Sequence, residues 1–74
     1  MHRERRNRVF ENEIRSMDEE LGFFVEDQDR DGIREIFRRA DRLMAEIDLC
    51  FPGEGDDLRD AVAGIMDRAI DALN

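Results

Sequence analysis

The chain has 74 residues, 41% of them hydrophobic and 43% charged, a balance too apolar for a disordered tail and too charged for a membrane interior. A single cysteine rules out an internal disulfide, and one cysteine (Cys50) with one histidine (His2) gives no expectation of a zinc site. The net charge of −8 is uneven: residues 2–8, HRERRNR, carry Arg3, Arg5, Arg6 and Arg8 against Glu4, a local +3, which leaves −11 on the rest. All twelve basic residues are arginines, the side chain best suited to bidentate pairing with carboxylates. No apolar run approaches the ~20 residues of a membrane span and no signal-peptide core is present, so a cytoplasmic protein without a membrane partner is expected.

The first element starts beside the basic stretch. Phe10, Ile14, Met17, Leu21 and Phe24 recur at alternating steps of four and three, one seam down a helix over about 9–25. Residues 1–8 lie beyond the length the other helices match, either as a basic overhang of this helix or as a disordered arm. Gly22 is a candidate stop, although Phe24 and Val25 carry the seam past it, which places the end between residues 22 and 26.

EDQDRDGIREI, residues 26–36, follows. Counted from Asp27, a twelve-residue loop has Asp27, Asp29 and Asp31 at positions 1, 3 and 5, Gly32 at 6 and Glu35 at 9. In those positions it resembles the calcium loop of EF-hand proteins. It departs from that pattern at position 12, where Arg38 stands in place of the bidentate glutamate, and at position 8, where Arg34 replaces an apolar residue. A cation in the closing ligand position rejects Asp27, Asp29 and Asp31 as a metal site. They read as linker and helix cap, carboxylates that satisfy free backbone N–H groups while Gly32 eases the turn.

A second helix is expected over about 32–51, from the stripe Ile33, Ile36, Phe37, Ala40, Leu43, Met44, Ile47 and Phe51. FPGEG, residues 51–55, holds the only proline and two glycines, which end that helix and make a tight connection. Asp56 and Asp57 stand where the N-cap of a third helix belongs, and Leu58, Val62, Ile65, Met66, Ala69 and Leu73 continue it over about 57–73. No stretch alternates as a strand. Matched helices and short links predict an all-α, antiparallel three-helix bundle in one domain, with a core thin enough for a second copy to complete.

Charge also collects by face. Asp56, Asp60, Asp67 and Asp71 fall within roughly 60° of helix three, opposite its core side. Ala63, Met66 and Ile70 extend apolar surface to the edge of that stripe, and Phe23 stands off the seam of helix one. These four make a candidate partner-binding flank, where small residues such as Ala63 and Gly64 admit another backbone. Arg34, Arg38 and Arg42 step by four along helix two and require acids elsewhere, such as Glu13, Asp18, Glu19 and Glu20. Glu35 with Arg39 and Glu11 with Arg15 are spaced for i,i+4 pairs.

Nothing suggests catalysis or a cofactor. There is no Ser–His or Cys–His arrangement and no phosphate-cradling glycine loop, and Ser16 is alone on a charged helix. The expected function is a non-enzymatic protein-binding module, an acidic inhibitor or adaptor for a basic partner. Carboxylates along a helix imitate phosphates, so a nucleic-acid-binding protein is a suitable target. In general type such a module is similar to the small acidic phage-encoded inhibitors of CRISPR or restriction complexes, with no motif in common. A homo-oligomer built on the apolar flank is the alternative. A nucleic-acid binder using Arg3, Arg5, Arg6 and Arg8 is a second, disfavoured by the acidic body.

Overall fold

The computed structural model describes the backbone of residues 2–74 and the side chains of residues 8–74. The elements in chain order are α1 (His2–Glu26), α2 (Arg30–Cys50) and α3 (Asp56–Leu73), and no strand occurs among the described residues. Each helix packs on the other two, which makes an all-α three-helix bundle. The α2/α3 interface is the most extensive and the α1/α3 interface the sparsest, so α1 rests mainly on α2.

The apolar seams converge as helical periodicity requires. Phe10, Met17 and Leu21 of α1 meet Ile33, Ile36, Ala40, Leu43 and Ile47 of α2 and Leu58, Val62, Ile65 and Ala69 of α3, with Phe51 closing one end. Ile14, Phe24, Phe37, Met44, Met66 and Leu73 pack half-buried against this cluster. The largest fully buried side chains are Met17, Leu21, Ile36, Ile47 and Val62. Each contributes about 1.5–3 kcal/mol by leaving water. No polar or charged side chain is buried among the described residues, so the interior is held by shape and apolar area alone. The Phe10 and Phe51 rings meet edge to face, centroids 5.9 Å apart, where α2 ends.

The first turn of the chain is made without glycine. Gly22 stays inside α1, because Phe24 continues to pack against the core beyond it. The helix stops four residues later through Gln28, whose φ of 56° is left-handed. Gln28 N–H donates to Val25 O at 3.2 Å and Asp29 N–H to Phe24 O at 2.8 Å, the paired bonds of a Schellman stop. Asp29 then caps α2, its carboxylate accepting from Gly32 N–H at 3.0 Å. Gly32 is therefore in the first turn of α2, where the Phe24 ring lies so close that an added Cβ would come within 2.6 Å of it.

The second turn runs through Gly53, at φ 76°. The N-cap of α3 is Gly55 and not Asp56, and it makes no side-chain capping bond. Packing decides this: a Cβ on the buried Gly55 would meet Ile47 Cγ2 at 2.7 Å, so only glycine fits where the chain enters α3. Asp56 and Asp57 fall in the first turn instead, where their charge faces the positive end of the helix. At its other end α3 has no basic residue in the last turn, and Arg30 supplies one from α2, its guanidinium donating to Leu73 O at 2.7 Å.

Candidate functional site

The acidic face of α3 is the clearest concentration of charge. Its four aspartates, Asp56, Asp60, Asp67 and Asp71, are all exposed, but they are not equivalent. Asp56 is engaged by Arg59, which also reaches Asp48 of α2 at 2.7 Å. The hydrogen bonds to Asp48 and then Asp56 raise the Arg59 guanidinium above its ordinary pKa. The other basic residue of α3, Arg68, pairs with Asp18 of α1. Both arginines of the helix are thus turned sideways into bridges to its neighbours. Asp60, Asp67 and Asp71 are left with no ion pair or side-chain hydrogen bond among the described residues, and Asp57 is unpaired beside them. From Asp60 to Asp71 the unanswered charge extends for about 16 Å of helix.

Arg39 of α2 links two helices through two carboxylates. Half-buried at the α1/α2 edge, it donates to Glu20 at 2.9 Å and to Glu13 at 3.0 Å. The hydrogen bond to Glu13, with Glu20 adding to it against the opposing effect of burial, raises its pKa. This differs from the i,i+4 pair with Glu35 that spacing suggests, because Arg39 is on the side of α2 facing α1. Glu35 pairs with Arg38 instead, at 3.6 Å, and Arg34 pairs with Asp31 at 3.2 Å. Two of the three stepped arginines of α2 are therefore answered within their own helix, and acids of α1 answer Arg39.

The sparse α1/α3 interface leaves a groove of about 560 Å³. Ile14 of α1 and Leu58, Ala61, Gly64 and Ile65 of α3 line its apolar floor, while Glu11 and Arg15 stand on one side and Asp57 and Asp60 on the other. Asp18 and Arg68 are also in its wall, and their ion pair links the two helices. Asp60 thus belongs both to the acidic face and to the groove. Periodicity did not reveal this site, although the small residues at 61 and 64 beside the stripe were its one visible signal.

The apolar flank expected on α3 has a different surrounding. Ala63 and Met66 are half-buried, Met66 against the core, and only Ile70 is well exposed, at 44%. Phe23 is 67% exposed on the outward side of α1, whereas Ile70 lies on the side of α3 that carries Arg59 towards α2. The two do not share a surface. Arg8 is exposed, and the side chains of Arg3, Arg5 and Arg6 lie outside the described residues. In the aspartate-rich link, Asp29 is committed to its cap and Asp31 to Arg34. No group of three potential metal ligands occurs among the described residues, and no described helix is long and apolar enough to cross a membrane.

Compared with models of known families, with curated proteins and with solved structures, the chain matches none.

Proposed function

We propose that this chain is a non-enzymatic protein-binding module whose outward face on α3 docks on a basic partner. It has the general character of small acidic inhibitors or adaptors, anti-CRISPR and anti-restriction proteins of phages among them, which occupy surfaces meant for nucleic acid. One observation carries the reading: both arginines of α3 are spent on neighbouring helices, so Asp60, Asp67 and Asp71 face solvent without a counter-charge among the described residues. Repulsion along such a face costs the free protein stability, and a basic partner relieves it. The same field steers encounter, with an effect that weakens beyond about 8 Å at physiological salt.

The test is a pull-down with the tagged chain from lysate of its native host, read by mass spectrometry beside the combined variant Asp60→Asn, Asp67→Asn, Asp71→Asn. A stoichiometric basic partner captured by the wild type and lost by the variant, with helix content unchanged, is the expected result. Equal capture by both proteins would return the aspartates to the role of solvated surface. Recovery of nothing but further copies of the chain would favour the homo-oligomer.

A further inference from the structure

We propose that the groove between α1 and α3 receives a basic amphipathic helix from the partner protein. The proposal rests on the acidic-face reading and deepens it by naming the element that docks. The groove offers the two properties such a helix needs. Its floor is apolar and low, formed by Ile14, Leu58 and Ile65 with the small residues Ala61 and Gly64. From Leu58 to Ile65 it follows about 10 Å of α3, the span over which a docked helix presents anchors at i, i+4 and i+7.

Gly64 adds an independent observation. It sits in the middle of α3, where glycine weakens a helix relative to alanine. A Cβ at this position would meet nothing within 4 Å, and its φ is not positive. Nothing inside the chain requires the missing side chain. A second helix lying against α3 does require it, because each methyl on the floor holds that helix further away.

Charge decides the occupant. On the α3 side the rim carries Asp57 and Asp60, both without an ion pair among the described residues, and on the α1 side it carries Glu11 and Arg15. A net acidic rim over an apolar floor is complementary to an apolar ridge flanked by arginine or lysine. A second copy of this chain fits less well, since it brings a net charge of −8 to an acidic rim, its one basic stretch is confined to residues 2–8, and Arg34 and Arg38 are already paired.

The experiment uses the full chain, labelled with ¹⁵N, titrated with a synthetic helical peptide that has leucine or alanine at i, i+4 and i+7 and arginines on both sides of that ridge. The expected result is movement of the amide signals of Ile14, Ala61, Gly64 and Ile65, and no movement with a peptide whose arginines are replaced by glutamate. Filling the floor by Gly64→Leu, with Ala61→Gln as a second filler should the first fail to fold, is expected to weaken binding at least about tenfold. Asp57→Asn with Asp60→Asn weakens it and flattens its salt dependence. No shift at about 1 mM peptide, the weak end of specific affinity, overturns the proposal. Shifts that follow Asp67 and Asp71 and survive both fillers overturn the groove while leaving the acidic-face reading intact. A wild-type dimer in sedimentation that Gly64→Leu dissociates assigns the groove to a second copy instead.

Discussion

Gly64→Ala tests the physical reasoning about the groove without any partner. The residue is exposed in the interior of α3, has ordinary helical backbone, and has open space where a Cβ would go. Alanine is favoured over glycine by about 0.8–1.0 kcal/mol at an interior helical position, largely because the unfolded chain loses less freedom on folding. No steric term opposes this. A chain of this size has a stability of roughly 4–11 kcal/mol at ~0.05–0.15 kcal/mol per residue, so the gain is a sizeable fraction. It corresponds to a rise in Tm of about 4–8 °C. Circular dichroism at the helical band gives Tm, and urea titration gives the same gain as a higher midpoint with an unchanged slope. Gly22→Ala is the matched control in α1, where an added Cβ also meets nothing, and the two gains are expected to add. An unchanged or lower Tm for Gly64→Ala would mean that α3 needs the glycine for its own packing, and the argument for a close-approaching partner would fall with it.

Gln28→Gly is expected to stabilise the bundle by up to about 1 kcal/mol, since Gln28 occupies a left-handed conformation that costs residues with a Cβ and not glycine; a lower urea midpoint would contradict this. Asp29→Ala removes the acceptor for Gly32 N–H and is expected to cost about 1 kcal/mol, while Asp29→Asn keeps most of the cap, as thermal melts of the two variants will show. Arg39→Met retains an apolar stem but breaks both bridges to α1, each worth about 0.2–1 kcal/mol at this partial exposure. Its deficit relative to wild type should shrink in 1 M NaCl, where the screening length falls to about 3 Å, and a salt-independent deficit would point to packing instead.

How far the sequence was legible follows from what each feature depends on. The seam residues, from Phe10 to Phe24 in α1 and Leu58 to Leu73 in α3, are specified by local periodicity, and they converge on the core as that periodicity implies. That an aspartate of the link caps α2 was legible for the same reason, being a bond within four residues, whereas its place at Asp29, with α2 beginning at Arg30, was not. The end of α1 was legible as a range, since the seam runs past Gly22 through Phe24 and Val25 and the helix ends at Glu26, but no local pattern marked Gln28 as the left-handed residue that closes it. Gly55 displaced Asp56 from the cap through a contact with Ile47, which no local rule contains. Likewise, the acids at positions 13 and 20 could be named as partners for arginines of α2, but that Arg39 takes both depends on how α1 is rotated. The groove is least legible of all. It exists because α1 and α3 meet sparsely, a property of the relative placement of helices and of neither helix alone.

The unequal packing of the three helices also sets how the molecule opens. The α2–α3 hairpin is joined by the largest interface, by Arg59 to Asp48 and by Arg30 at its end, whereas α1 is held by two sparser interfaces together with Arg39 to Glu13 and Glu20 and Arg68 to Asp18. Among the described residues three of the four ion pairs between helices hold α1, so ionic strength acts mainly on its tether. Sub-global opening is expected to begin with α1 lifting from a persisting hairpin, so that its amides exchange with solvent sooner than those of α2 and more readily as salt is added. The ionic medium around this protein then serves as a dial on how exposed the inner faces of its helices become.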